Sequence, residues 1–272
     1  MRLLNLKPDR TWTIALAALP FLALLIAYVM SSAARLAENP NDKLLPSLSA
    51  MGEAVKHMAF QADVRTGAYL MLNDTLSSMY LLLVALAIST LIALVFGLLI
   101  GLLPVMNATF GPVVAVASMV PPLALLPILF IIMGLGDASK IALIVIGTSL
   151  KLIRDVALRV QDLPREQLIK AQTLGASTWQ IGLRIVLPQM LPRLIDSVRL
   201  ELGPAWLFLI AAEAIASDSG LGYRIFLVRR YLAMDVIIPY VIWITLLAFL
   251  MDLALRLLQQ KAFPWFSGAR TA

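Results

Sequence analysis

The stretch Lys170-Ala-Gln-Thr-Leu-Gly-Ala-Ser177, followed by Ile185-Val-Leu-Pro188, carries the most information about the fold. It is polar, has a glycine in its middle and lies between long apolar runs. A protein that only spans a bilayer has no need for such a segment. The pattern therefore predicts an element that works outside the membrane, where a partner can reach it.

The composition predicts an all-α membrane protein. Of 272 residues, 61% are hydrophobic and 14% are charged, with a mean hydropathy of +0.89. Soluble domains carry about 25% charged residues. The net charge of +6 is explained by basic loops on the cytoplasmic side, so no nucleic-acid partner is expected. The absence of cysteine excludes disulfides and thiolate chemistry.

Six apolar runs predict membrane crossings, because about 20 apolar residues span the hydrocarbon layer as a helix. The fourth run is short for a full span. The first is long enough to remain as an anchor rather than a cleaved signal. Between the first two runs, the polar stretch Ser31–Leu76 contains a segment, Pro46–Phe60, with the spacing of an amphipathic helix. The six runs are Trp12–Met30, Met79–Leu103, Phe110–Met133, Ile141–Ile153, Leu191–Ala216 and Val236–Leu258.

Charge counting predicts the orientation. Residues 151–184 hold six Lys or Arg against three acids, whereas residues 31–76 hold four against five. The basic excess predicts a cytoplasmic 151–184 segment and an external 31–76 loop. Both termini are then cytoplasmic, in agreement with the terminal basic residues Arg2, Lys7, Arg10, Lys261 and Arg270. The loop with Arg224, Arg229 and Arg230 falls outside and disagrees with the rule.

The polar segment predicts two helices joined at a glycine. Asp162-Leu-Pro164 is typical of a helix start, and the helix is expected to reach Leu174. Gly175 supplies the positive φ that ends it. Ser177 and Gln180 match a capping box, which starts a second helix. We call residues 164–183 the elbow. An ordinary helical loop is the alternative from these residues alone.

The motif resembles the signature loop of the inner-membrane permeases of ABC importers, the binding-protein-dependent transport family. That loop is a coupling helix that sits in a groove of the ATP-hydrolysing subunit. The matching positions here are Ala171, Gly175, Ile185, Leu187 and Pro188. Where the family usually has Glu-Ala, this chain has Ile169 and Lys170, and Glu166 lies one helical turn upstream. The resemblance implies ATPase coupling through Glu166, Lys170, Ala171, Leu174, Gly175, Ala176, Trp179, Ile185, Leu187 and Pro188.

Three further motifs look like the branch that imports nitrate, sulfonates, taurine and bicarbonate, some of whose relatives serve urea or guanidine. They are Leu44–Ser47, Pro121–Pro127 and Gly220–Tyr223. The resemblance implies a type I ABC importer permease fold in the bacterial inner membrane. It also implies a homodimer with two ATPase copies and an extracytoplasmic substrate-binding protein, surrounded by membrane lipid. The expected division is 1–76, a permease core 77–258 with a coupling loop 162–188, and a tail 259–272.

No catalytic chemistry is predicted in this chain. No phosphate-binding Gly-x-x-x-x-Gly-Lys-Ser/Thr motif is present, so ATP and magnesium belong to a separate subunit and no cofactor is expected here. His57 is the only histidine, which argues against a histidine metal site or triad. Glu213 and Asp252 lack the pattern of an intramembrane protease. A secondary transporter or channel is the alternative function, although inverted repeats are not visible.

The translocation path is predicted around a proline-interrupted crossing, with Ser118–Pro127 as pore lining; a simple kink is the alternative. Trp206 and Trp243 either contact substrate or pack. Glu213 either bonds a neighbouring helix or lines an outer gate, where it favours a cationic or neutral solute. Arg193, Asp196, Arg199 and Glu201 are expected to pair or snorkel, and Asp252 to pair with Arg256. The path residues are Ser118, Met119, Pro121, Pro122, Trp206 and Glu213.

Overall fold

A computed structural model describes residues 9–40, 42–63 and 67–268. Every regular element within those ranges is helical, which confirms the all-α prediction. The predictions that rest on Arg2, Lys7, Arg65 and Arg270 lie outside the described residues. The helices are α1 Arg10–Glu38, α2 Leu48–Phe60, α3 Leu70–Leu102, α4 Pro104–Ala117, α5 Leu126–Met133, α6 Asp137–Gln161, α7 Arg165–Thr173, α8 Thr178–Ile181, α9 Leu187–Ile215, α10 Leu221–Arg229, α11 Met234–Ala262 and α12 Pro264–Gly268.

The six predicted crossings correspond to α1, α3, the α4–α5 pair, α6, α9 and α11. By length and apolar composition, α1, α3 and α11 qualify as membrane spans, and the α4–α5 pair qualifies if counted as one. With 25 and 29 residues, α6 and α9 are long enough to cross but carry more charged residues. The predicted proline interruption of the crossing Phe110–Met133 is present as a break between α4 and α5, whose two halves meet at 82°.

The chain divides into two compact units. The first comprises Met1–Leu70 and Val228–Val241. In it, the amphipathic segment is confirmed as α2, whose N-cap Ser47 accepts a hydrogen bond from the Ala50 amide. The Tyr28 hydroxyl donates to the Pro46 carbonyl at 2.7 Å. Arg35 donates to Asp42, and together with the Leu44 amide this holds the pKa of Asp42 below its usual value. The polar stretch is shorter than predicted, since α1 runs to Glu38 and α3 begins at Leu70.

The second unit, Met71–Leu227 with Ile242–Ala272, has α6 and α9 at its centre. Glycines let α6 pack tightly against α3. A Cβ added at Gly97 would lie 2.6 Å from the Val156 Cβ, and one added at Gly101 would lie 2.5 Å from the Val160 Cβ. Two glycines four residues apart are a known device for close approach of membrane helices. This contact connects the first span of the unit to the helix that leads into the elbow.

Helix α6 corrects the prediction for the fourth crossing. The expected span Ile141–Ile153 ended where charges begin, at Arg154 and Asp155. The helix instead continues to Gln161, because its buried face stays apolar through Val156 and Val160. Arg159 donates to Asp155 one turn away, at 2.7 Å. Part of the predicted polar loop is therefore the last turns of a long helix.

Candidate functional site

The elbow has the two-helix form that the sequence predicts. Gly175 has φ +81°, and the Ala176 amide bonds back to the Ala171 carbonyl at 3.0 Å. The capping box is complete: the Gln180 amide donates to the Ser177 hydroxyl, and the Ser177 amide donates to the Gln180 side chain. The predicted role of Asp162 as a helix cap was wrong. Its amide still bonds to the Leu158 carbonyl, so Asp162 caps the end of α6 instead.

The Ile-x-Leu-Pro motif lies in a widened helical turn. Residues Gly182–Val186 form a π segment, and the Leu187 amide donates to the Gly182 carbonyl. Pro188 follows at once; it has no amide hydrogen, and its ring crowds the preceding turn of a regular helix. The wider turn accommodates that ring. As a result α8 continues into α9, which begins at Leu187 rather than at the predicted Leu191.

Buried side chains fix the elbow to the neighbouring helices of the second unit. Leu163, Ala171 and Ile181 belong to one buried cluster. The same cluster includes Ile100 of α3 and Val160 of α6. Five tightly packed apolar groups resist rearrangement, because interiors are packed at crystal-like density. The elbow is thus packed against α3, α6 and α9.

The outward face of the elbow is apolar as well. Leu174 is 88% exposed and Trp179 is 70% exposed, and Ile169 is also mostly exposed. Glu166 and Lys170 are exposed as well. Large apolar groups that are exposed to water and surrounded by polar residues are typical of a protein interaction site. Of the predicted coupling residues, Ala171 is buried, and Ala176, Ile185, Leu187 and Pro188 are half-buried.

The break between α4 and α5 is where the path residues Ser118, Met119, Pro121 and Pro122 lie. Pro122 starts a short 3₁₀ turn that ends at Leu125. Beside the break is a cavity of about 260 Å³. Its lining residues are Ala117, Ser118, Val120, Pro122, Leu125, Ile146, Gly147, Leu150 and Lys151. Met119 is strongly exposed, and it is not one of the residues that line this cavity.

Glu213 and Trp206 do not line that cavity. Glu213 is fully buried, and its carboxylate accepts hydrogen bonds from the Ser78 hydroxyl at 2.6 Å and the Gly222 amide at 2.8 Å. Of its two predicted roles, these contacts match the bond to a neighbouring helix. The Trp206 ring is buried, and its indole nitrogen has no partner among the described residues. Trp243 donates to the Thr75 hydroxyl at 2.9 Å.

The second buried carboxylate is Asp74. It accounts for Arg224, one of the three arginines whose predicted external position disagrees with the charge rule. Arg224 donates to it at 2.8 and 3.3 Å, and the Gly220 amide donates at 3.2 Å. Gly220 has φ +115°, and a Cβ there would lie 2.5 Å from the Glu213 carboxyl carbon. The Gly220–Tyr223 motif is therefore a bend at Gly220 followed by the start of α10, placed against two carboxylates; we call it the Gly220 turn. Sequence reasoning missed Asp74; its signal was an acid at the polar start of an apolar helix.

Asp196 and Arg199 of α9 are paired, as expected. Arg199 donates to Asp252 of α11 at 2.7 and 3.0 Å and to Asp196 at 3.4 Å. The predicted pair of Asp252 with Arg256 was wrong, because Arg199 from a neighbouring helix takes both carboxylate oxygens. Ser197 donates to Asp155 of α6. These contacts join α9 to α6 and α11.

Comparisons with known proteins identify the family. Residues 93–264 match the binding-protein-dependent transport system inner membrane component family, and the chain belongs to it. The chain is 34% identical to the taurine transport system permease protein TauC of Escherichia coli (strain K12), over 70% of this chain and 69% of the relative. It is 32% identical to the nitrate import permease protein NrtB of Synechococcus elongatus, over 51% of each.

A solved structure supports the fold. The chain superimposes on one from the inward-facing conformations of the MetNI methionine ABC transporter with a TM-score of 0.63. The match covers 71% of this chain and 96% of the other, at 18% sequence identity. The protein is thus a multi-pass ABC transporter permease with the type I importer fold.

Proposed function

We propose that this chain forms the translocation path of an ATP-driven importer for a small polar solute, and that a separate ATPase docks on the elbow. The observation that carries the proposal is the pairing of exposed Leu174 and Trp179 with the buried anchors Ala171 and Ile181. The exposed groups offer a contact surface, and the anchors transmit force from it. Catalysis takes place on the ATPase, which supplies ATP and magnesium, and this chain has no catalytic role.

The proposed mechanism uses the continuity of the elbow with the core. Closure of two ATPases pulls both elbows of a permease homodimer. Because α8 passes through the π segment into α9 without a loop, the displacement enters α9 directly. The Arg199–Asp252 contact then carries it to α11. The path between the two copies opens alternately to the inside and the outside.

The proposed orientation keeps the elbow, the coupling loop 162–188, both termini and the tail 259–272 on the cytoplasmic side of the bacterial inner membrane. The 31–76 loop and the Gly220 turn then face the outside of the cell. An external binding protein delivers the solute there. Two copies of the ATPase complete the complex, and lipid covers the exposed apolar helices.

The proposed path passes the break at Ser118–Pro122, with Met119 toward the partner copy. Trp206 and Glu213 support its walls. The relatives named for taurine and nitrate favour a small sulfonate- or nitrate-type solute. Bicarbonate, urea and guanidine are the other solutes of the branch that the chain resembles.

Affinity capture with the native ATPase tests the docking. Wild-type permease is expected to retain the ATPase, whereas Gly175→Pro is expected to lose it, since proline cannot adopt φ +81°. Gly175→Asn is the matched control, because asparagine tolerates that conformation. In proteoliposomes, solute uptake at the full rate without any ATPase would contradict the proposal and favour a secondary transporter.

A further inference from the structure

Lys151 is the one charged side chain among the residues that line the cavity at the break between α4 and α5. Its side chain is 43% exposed. Charge counting had assigned it to the cytoplasmic segment. The structure places it inside α6, on the wall opposite Ser118 and Pro122. This residue was not among the predicted path residues.

The depth of Lys151 argues for a water-filled surrounding. At about 1.5 Å per residue, it lies roughly 20 Å from the start of α6 and roughly 15 Å from its end. A charged group at such a depth faces a cavity or a partner, because exposure to hydrocarbon is costly. The Lys151 side chain is 43% exposed and lines the cavity at the break, so a water-filled cavity is the surrounding that avoids this cost.

Glu201 is the counter-ion of Lys151, and it holds the ammonium only loosely. The Lys151 Nζ lies 4.0 Å from the Glu201 Oε2, which is the outer limit of an ion pair. That oxygen is buried and has no hydrogen-bond partner among the described residues. The Glu201 side chain as a whole is 17% exposed. An ammonium has three donors, so this arrangement leaves donors for a group that enters the cavity.

We infer that Lys151 binds the anionic group of the transported solute and that Glu201 is a positioning residue that keeps the ammonium at the cavity wall. The inference rests on the proposed import function and adds the residue that binds the anionic group of the solute. The other lining residues supply no charge, and the cavity of about 260 Å³ suits a compact solute. Glu213, which suggested a cationic or neutral solute, is buried and bonded elsewhere.

The long distance between Lys151 and Glu201 also accounts for release of the solute. A transport site has to bind strongly enough to admit the solute and weakly enough to let it leave. When the anionic group departs, Glu201 again neutralises the ammonium, which avoids an uncompensated charge at membrane depth. A lysine with only a structural role would not need a side chain that is partly exposed to the cavity.

The test uses the complete complex in proteoliposomes, with ATPase and cognate binding protein, and measures labelled solute imported per ATP hydrolysed. The probes are taurine, nitrate and urea. Lys151→Met is expected to lower import of taurine or nitrate, whichever the complex transports, about tenfold per ATP, as for loss of a hydrogen bond to a charged group. ATP hydrolysis stimulated by the binding protein is expected to stay within about twofold. Lys151→Arg should retain most import, and Lys261→Met, at an exposed lysine of α11, should match wild type.

The double variant Lys151→Met/Glu201→Gln separates solute binding from charge balance. It removes the buried unpaired carboxylate, so it is expected to fold while import stays low. Restored import would show that Lys151 only neutralises Glu201 and would overturn the inference, as would wild-type import by Lys151→Met. Import of urea but of neither taurine nor nitrate by the wild-type complex also overturns it and leaves ATPase coupling intact. A wild-type complex with no ATP-dependent uptake of any probe counts against the proposed function itself.

Discussion

The two ends of α9 are held in opposite ways. At its beginning, the elbow rests on apolar anchors such as Ala171 and Ile181, and its top is apolar and exposed. At its end, the Gly220 turn wraps around the buried carboxylates of Asp74 and Glu213. One end leaves apolar surface uncovered, whereas the other satisfies its buried polar groups internally.

This difference separates the proposed docking surface from a structural joint. Exposed apolar groups gain stability when a partner covers them, which supports the proposed docking of the ATPase on the elbow. Buried carboxylates are stable only when hydrogen bonds compensate their desolvation, so the turn is built to keep one shape. Substitutions should therefore impair partner binding at the elbow and stability at the turn.

The largest effect is expected from Leu174→Asp/Trp179→Asp. Each side chain is mostly exposed, so folding should be unchanged, while each lost interface anchor costs about 2 kcal/mol or more. Together they should weaken ATPase binding about 1000-fold. Titration of labelled ATPase against permease in nanodiscs measures this. Leu174→Met/Trp179→Phe is the control that keeps the apolar surface and should bind nearly normally. Wild-type affinity for the aspartate pair would remove the elbow from the interface.

Gly220→Ala should produce the next largest effect, this time on stability. The new methyl would meet the Glu213 carboxyl at 2.5 Å in a backbone conformation that favours glycine. Strain and overpacking together should cost about 2–4 kcal/mol. Thermal unfolding in detergent measures the loss. Gly52→Ala in α2 is the control, since nothing lies within 4 Å of its added Cβ, and it should be neutral or slightly stabilising. Equal unfolding temperatures for the two variants would contradict the structural role of the Gly220 turn.

Gly97→Ala tests the contact by which α3 supports the helix leading to the elbow. Its methyl would lie 2.6 Å from the Val156 Cβ, and the expected cost is about 1–3 kcal/mol. The same unfolding assay applies. Gly203→Ala, in open space on α9, is the matched control and should not lower stability. If Gly97→Ala is as stable as this control, the two helices pack less closely than described.

The smallest effect is expected from Ser177→Ala, which removes one half of the capping box. The cost should be about 1 kcal/mol, confined to the start of α8. Hydrogen exchange of the α8 amides is expected to become severalfold faster. Ser177→Asp should preserve protection, because aspartate also caps helices. Unchanged exchange in Ser177→Ala would mean that the buried anchors alone hold α8.

The local features of the elbow could be predicted from the sequence because they depend on neighbouring residues. Gly175, the Ser177–Gln180 capping box and the proline break near Pro121 act within a few positions. The contacts of Glu213 with Ser78 and of Asp74 with Arg224 span about 135 to 150 positions. No periodicity or cap reports such distant pairs. Only the packing of α3 against the Gly220 turn reveals them.

The position of Lys151 was missed for a related reason. Charge counting treats every basic residue near Arg154 as part of a loop, whereas the buried apolar face of α6 keeps the helix intact to Gln161. Hydropathy averages both faces of a helix and so ends a span too early. At Phe110–Met133 the prolines predicted the interruption, but hydropathy did not report the 82° angle between the two halves. Composition reports how apolar a segment is but not how it turns.

Thiol protection at the elbow tests the central claim most directly. The chain contains no cysteine, so Leu174→Cys introduces a single thiol. The account predicts that added ATPase slows alkylation of this thiol strongly and that a cysteine at Gln61, an exposed residue after α2, reacts at the same rate with or without ATPase. Equal alkylation of Leu174→Cys with and without a functional ATPase would contradict the proposal that the ATPase docks on the elbow.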